Sequence, residues 1–326
     1  MMDKNGFLGQ DMQKSKPKTP ISLTRVGITN LRRMVRIASP GHDTLFFAEM
    51  ALYAHLSASR AGVHMSRFLE NIEKIAIEMA TESTPSIESL AERMALAIAQ
   101  TQDTRRSEVR IRAQFPERKV TPVSQVEVEN LYTFIGIAAS DGVQTRHVIG
   151  VEVDGLTVCP CAREMVAEQS RKALEQEGYS AQEAARIVDL LPLASHNQRG
   201  RGTLLLGTDR KLQAEQLVRL AEASMSSDIY ELLKRPDELY IVDRAHRNPR
   251  FVEDVAREMI HNVLTAFPDL SDETFLLARQ ENFESIHVHN ACAERYGLLG
   301  EMRSELSGNA APCPPVSMDE WLAQLF

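Results

Sequence analysis

The alternation of apolar and polar positions gives the first picture of the chain. Residues 21–38 are rich in β-branched side chains and interrupted by Gly27 and Asn30, which predicts a strand, a bend and a strand. Residues 44–56 are a second extended apolar stretch, and Pro40-Gly41-His42-Asp43 between the two is a turn signal. The pair reads as a long-armed hairpin. The period then changes. Phe68, Leu69, Ile72, Ile75, Ala76 and Met79 recur at helical spacing over residues 66–81, with Ser66 placed as an N-cap. A second helix is predicted over 86–102, with Ile87, Leu90, Ala91, Met94 and Ala95 on one side. Strands follow over 107–115 and 126–158, the latter turning at Asp141-Gly142. The resulting order is β-β-α-α-β-β.

The second half partly repeats that order, as an architecture and without residue-level self-similarity. The strand ending at Val158 contains a Gly155 break, and residues 162–176 behind it read as a helix, continuing to 185 with a break at Gly178. Residues 202–207 are a short strand. Residues 214–223, 229–234 and 249–267 have helical spacing, with Asn248 as N-cap of the last and Pro249 at its first position. Residues 274–282 and 286–297 close the chain as extended stretches. Beyond Ser307, Pro312, Pro314 and Pro315 predict an irregular tail. The expected division is a flexible tail over 1–20, a first unit over 21–158, a second over 159–307 and a tail over 308–326.

Composition narrows the class. At 326 residues, 43% hydrophobic and 25% charged, the chain has the make-up of a soluble globular protein. No apolar run reaches the roughly 18 residues of a membrane span. The first twenty residues are polar, with Lys4, Lys14, Lys16 and Lys18, and lack the apolar stretch of a signal peptide, which predicts a cytoplasmic location. Four cysteines in a chain this long are not a disulfide framework. A net charge of −8 argues against a nucleic-acid partner, but local arginines can still hold an anionic small molecule.

Candidate chemistry falls into separate clusters. Cys159-Pro160-Cys161 sits at a strand-to-helix junction, and Pro160 stiffens the link between the thiols. Ser195-His196-Asn197-Gln198-Arg199-Gly200-Arg201-Gly202 precedes the 202–207 strand. Its arginines suit phosphate, because a planar guanidinium donates two parallel hydrogen bonds, and its glycines would let backbone approach a ligand. In Glu281-Asn282-Phe283-Glu284-Ser285-Ile286-His287-Val288-His289, the two histidines share a strand face, and a bend near Ser285 is needed for Glu284 to join them. A glutamate, a histidine and a thiolate can hold a divalent metal with a position open for water. His64 and Arg67, in Gly62-Val63-His64-Met65-Ser66-Arg67, lie at a helix start, where N–H groups attract anions.

Together these motifs resemble the type IB GTP cyclohydrolases. The resemblance rests on Gly150-Val-Glu-Val followed by Cys159-Pro-Cys161, on His196-Asn-Gln-Arg199 and on Asn282-Phe-Glu-Ser-Ile-His287. Residues 21–27, residues 62–67 and the long segment after Arg163 are similar to the archaeal methanopterin-pathway branch in particular. The likeness covers residues 21–298. It implies an α+β chain of tandem tunnelling-fold units, antiparallel sheets with helices on one face, in homo-oligomers with active sites at subunit interfaces. It implies GTP as substrate and Fe(II) as metal, with Zn(II) or Mn(II) conceivable in isolated protein. It places Cys159, His196, Glu284 and His287 at metal positions, and Cys159, His196 and Glu284 in catalysis. It puts Glu258 at the purine ring, while Arg199, Arg201 and Arg67 are candidates for the triphosphate by their chemistry, with His64 a further substrate-binding candidate. Asp243 falls where a related branch has a glutamate ligand, and the shorter carboxylate argues against direct ligation.

Three readings compete. The first product is 7,8-dihydroneopterin 2′,3′-cyclic phosphate with formate and diphosphate released. The second is dihydroneopterin triphosphate, as in the folate branch. The third is a non-catalytic pterin- or nucleotide-binding protein with structural cysteines.

Overall fold

The computed structural model describes residues 12–39, 42–81, 86–310 and 314–324. Its strands are β1 (Leu23–Ser39), β2 (His42–Leu56), β3 (Ser107–Val120), β4 (Glu127–Ser140), β5 (Thr145–Val158), β6 (Asn197–Gly207), β7 (Ser227–Asp228), β8 (Phe275–Asn282) and β9 (Ala291–Leu298). Its helices are α1 (Met65–Thr81), α2 (Ile87–Gln102), α3 (Pro160–Gln176), α4 (Ala181–Leu190), α5 (Ala214–Ala223), α6 (Arg235–Arg247), α7 (Val252–Ala266), α8 (Leu299–Leu306) and α9 (Met318–Ala323). The strand order is β1-β2-β3-β4-β5-β6-β8-β9, with β7 paired to β5. The chain forms two compact units: Met1–Ala113, Ile135–Ile149 and Asp319–Phe326, then Gln114–Phe134 and Gly150–Met318.

In the first unit β1 and β2 are an antiparallel hairpin. The predicted bend is a register shift between Ile28 and Leu31, where Asn30 takes φ 55°. Asparagine tolerates that left-handed conformation better than a β-branched residue. Gly27 is required by proximity, since a Cβ there would stand 1.9 Å from the Leu52 carbonyl oxygen. Pro40 and Gly41 of the predicted turn lie outside the described residues. Ser86 caps α2 by accepting from the Ser89 N–H, and Ile87, Leu90, Ala91, Met94 and Ala95 are all buried as their spacing requires. On α1 the buried stripe is Phe68, Ile72 and Ile75, while Leu69 is largely exposed. The helix begins at Met65, so Ser66 lies inside its first turn and is not the cap. The 314–324 segment is not wholly irregular, because α9 buries Trp321 and Leu322.

In the second unit β6, β8 and β9 pair antiparallel, α5 packs on β6 and α7 on β6 and β8, and these helices bury Leu217, Met259 and Val263. Gly178 at φ 96° ends the α3 turn, and Ser180 with Glu183 forms the capping box that starts α4. Several expectations change here. Residues 229–234 are not helical, and the helix begins at Arg235. Asn248 ends α6 instead of capping the next helix, and α7 starts at Val252 behind Phe251. Its side-chain amide faces the carbonyls of Met225 and Ser226. β6 begins at Asn197, so Arg199 and Arg201 are strand residues and do not sit in a preceding loop. Residues 285–289 form a bend, and β9 starts only at Ala291. Asp237, fully buried, holds this unit together by accepting from the Val123, Ser124 and Lys234 N–H groups.

Candidate active site

Cys159 follows the last residue of β5 and is the N-cap of α3, with Pro160 at the first helical position. Its sulfur accepts from the Ala162 N–H at 3.5 Å, which fixes Sγ at the positive end of the helix. Four further hydrogen bonds immobilise the junction. The Cys159 N–H donates to the His196 carbonyl at 3.1 Å, and Ser195 Oγ donates to the Cys159 carbonyl at 2.7 Å. The Val158 N–H donates to Ser226 Oγ at 3.1 Å, and the Arg250 N–H donates to the Val158 carbonyl at 2.9 Å. Cys161 is exposed, whereas Cys159 is half-buried.

His196 leads into β6, and Glu284 follows β8. β6 and β8 are in register with Gly200 opposite Asn282, and the Phe283 N–H extends the pairing to the Arg199 carbonyl. That register carries Glu284 to His196, with Oε2 3.6 Å from Nδ1 and the two side chains only 14% and 10% exposed. The Glu284 Oε2 atom is buried with no hydrogen-bond partner among the described residues. His196 Nδ1 is closer to Gln198 Oε1, at 3.0 Å.

Alternation along β6 sorts the rest of the motif. Gln198, Gly200 and Gly202 face inward, while Arg199 and Arg201 face solvent. By sequence, glycines at these positions predict room for a ligand. Gly200 instead admits neighbouring amides, because a Cβ there would meet Gln280 Nε2 at 2.2 Å and Asn282 Oδ1 at 2.6 Å, and a Cβ on Gly202 would meet the Met225 methyl at 2.9 Å. Gln280 and Asn282 are buried and bonded to each other at 2.9 Å. The sequence signal for this polar layer was a pair of amides on the inward face of a strand, opposite two glycines. Arg201 is held by Asp154 through two bonds of 2.7 and 3.1 Å, which raises its pKa and occupies its fork.

Glu258 lies on α7 and pairs with Arg250 Nη1 at 3.3 Å. Since the Arg250 backbone holds Val158, Glu258 is connected to the Cys159 junction through one residue that the motif reading had not singled out. Asp243 is paired with Arg247 on the same helix at 2.9 Å. His287 and His289 do not share a strand face. They are exposed in the 285–289 bend, with rings stacked 5.1 Å apart. His64 and Arg67 belong to the first unit. There the Gln102 amide bonds both the N–H and the carbonyl of His64, and Arg67 donates to the Thr101 carbonyl at 3.0 Å.

Among the described residues no group of three His, Cys, Asp or Glu side chains could hold a metal ion. The Glu284 oxygen beside His196 is cation-compatible, but among the described residues Cys159, His196, Glu284 and His287 do not gather into such a group.

The family described as type I GTP cyclohydrolase folE2 matches residues 10–293. A protein named GTP cyclohydrolase MptA from Methanothermobacter thermautotrophicus is 39% identical over 304 residues, covering 91% of this chain and 95% of that one. The proteins of the same name from Methanoculleus marisnigri and Methanococcus aeolicus are 37% and 35% identical over 91% of this chain, covering 97% and 99% of theirs. In fold, the chain is similar to uricase from Arthrobacter globiformis, with a TM-score of 0.51, 9% identity and coverage of 89% and 96%. That likeness supports the expected α+β tunnelling architecture. With the Cys159, His196 and Glu284 motifs all lying inside the matched span, the chain belongs to the type I GTP cyclohydrolase family.

Proposed function

We propose that this chain hydrolyses the imidazole ring of GTP, releases C8 as formate, and forms 7,8-dihydroneopterin 2′,3′-cyclic phosphate with loss of diphosphate. The observation that carries the reading is the buried His196–Glu284 pair beside Cys159. Ring opening at C8 needs one group to take a proton from water and another to give a proton to a ring nitrogen. Glu284 has an oxygen with no internal partner, so it takes the first role. His196, held at its Nδ1 side, presents the Nε2 lone pair, which accepts a proton before handing it to the ring nitrogen in the second role. Glu258 is the candidate anchor of the guanine edge, and Arg199, exposed on β6, is the candidate for the triphosphate, with His64 and Arg67 as further candidates. Arg201 contributes less directly, since Asp154 already takes its fork.

The proposal includes dependence on Fe(II), which would lower the pKa of a bound water when present. Its candidate ligands are Cys159, His196, Glu284 and His287. It also includes self-association. β1 and β9 end the strand order, and open strand edges recruit neighbours. Among the described residues no helix is long and apolar enough to cross a membrane, and the proposed setting is the cytoplasm.

The test is stoichiometry during anaerobic GTP turnover with Fe(II). One diphosphate per formate supports the cyclic-phosphate product. Formate without diphosphate, with a triphosphate-bearing pterin accumulating, assigns the folate-type reaction. Binding without formate leaves only a nucleotide-binding protein.

A further inference from the structure

We propose that Gln198 is a positioning residue that locks His196 in the Nδ1–H tautomer, so that Nε2 carries the lone pair facing the site. The argument is a hydrogen-bond chain whose direction is set at its far end. Thr157 Oγ1, on β5, lies 3.4 Å from the Gln198 backbone carbonyl, which can only accept. The hydroxyl has one proton and directs it there. It therefore accepts from the Gln198 side chain, whose Nε2 stands 2.9 Å away. An amide that donates through Nε2 to Thr157 turns Oε1 to the opposite side, where His196 Nδ1 lies at 3.0 Å. Oε1 only accepts, so Nδ1 carries the proton.

Burial makes this chain binding on the ring. Thr157 is fully buried and Gln198 is 6% exposed, so water does not compete for these groups and an unmade bond is costly. Glu284 Oε2 also approaches Nδ1, at 3.6 Å, but one N–H serves one good acceptor and Gln198 is nearer. The outcome is a division of labour. Gln198 takes the Nδ1 proton, Glu284 keeps an oxygen without an internal partner, and Nε2 stays a base or a donor atom for a cation. The inward alternation of β6 is what places Gln198 between Thr157 and His196, and the solvent-facing Asn197 and Arg199 cannot substitute.

The inference about the tautomer stands on geometry alone, and only its kinetic consequence rests on the proposed function. The test uses metal-free full-length protein with 15N-labelled histidine. The His196 ring signals are assigned by comparison with His196→Asn, and the tautomer is read from the two nitrogen shifts. The wild type is expected to show protonated Nδ1. Gln198→Leu is expected to move the population towards the Nε2–H form, and to lower kcat for formate release by about 10- to 100-fold with KM changed far less. Thr157→Val is expected to shift both in the same direction, and Thr157→Ser to restore most of what Thr157→Val loses. An Nε2–H tautomer in the wild type overturns the proposal, as does an unchanged tautomer in Gln198→Leu. If Gln198→Leu fails to fold, the Thr157→Val and Thr157→Ser pair decides by the same signals. A wild type that releases no formate defeats the proposed function and leaves the tautomer measurement valid.

Discussion

The backbone N–H of Cys159 donates to the carbonyl of His196 at 3.1 Å, joining two motifs that lie far apart in the chain. This bond ties the start of α3 to the start of β6, so the sulfur and the imidazole move as one piece. With Ser195 Oγ on the Cys159 carbonyl, the junction is anchored in both directions. Cys159 is thus positioned by backbone geometry, and replacing its side chain should leave the frame intact.

Cys159→Ser keeps an N-cap acceptor for the Ala162 N–H and should leave the protein folded, with a melting temperature close to wild type. Formate release from GTP should fall on the order of 100-fold or more, as removal of a reacting or ligating group requires. Cys161→Ala, at an exposed position, should remain within about twofold of wild type, because surface changes of this kind cost little. The reverse pattern would make Cys161 the functional sulfur.

Gly200→Ala should damage stability and activity together. The added methyl collides with the Gln280 and Asn282 amides, which are buried and bonded to each other. A cost of about 1–3 kcal/mol in denaturant unfolding is expected from overpacking. Because Gly200 pairs with Asn282 at the end of β8, the strain also reaches Glu284. Unchanged unfolding would show that the amide layer has slack.

Asp237→Asn should lower the melting temperature at neutral pH. Burial by itself would raise the Asp237 pKa, but hydrogen bonds from the Ser124 hydroxyl and the Ser124, Val123 and Lys234 N–H groups hold it well below the usual carboxylate range. A depressed folded-state pKa contributes stability above the unfolded value of 3.8, and that contribution is lost as pH falls through the folded value. The gap between wild type and variant should therefore be full near pH 7 and shrink only in acid below about pH 4.

Glu117→Gln should have the opposite sign. Burial, and then the carboxylates of Glu215 and Glu222, push the Glu117 pKa from 4.5 up to about 7. Its Oε2 has no partner among the described residues. A raised folded-state pKa means that ionisation opposes folding above the unfolded value, increasingly up to pH 7. The variant should be more stable than wild type at pH 8, on the order of 1 kcal/mol after allowing for partial solvation. The gain should vanish below about pH 4.5. Urea unfolding at pH 8 and pH 4 checks both limbs.

Local sequence determined much of this molecule. The apolar stripe of α2 and the turn at Asp141-Gly142 are properties of windows a few residues long, and they appear as read. The candidate residues of the site were also legible, because Cys159, His196 and Glu284 stand out as residue types in short motifs. What the windows could not hold was pairing. The fate of Gly200 and Gly202 depends on Gln280 and Asn282 arriving opposite them on β8, and the direction of His196 depends on Thr157 on β5. His287 and His289 fit a strand by alternation, but the chain bends there because β9 pairs with β8 only from Ala291. Asn248 and Pro249 looked like a helix start, yet Asn248 is occupied with Met225 and Ser226. Sequence alone thus determined most of the elements and which residue types are candidates for the chemistry. Tertiary structure decided which of those groups meet, because strand register sets long-range neighbours and one residue of slip exchanges the inward and outward faces.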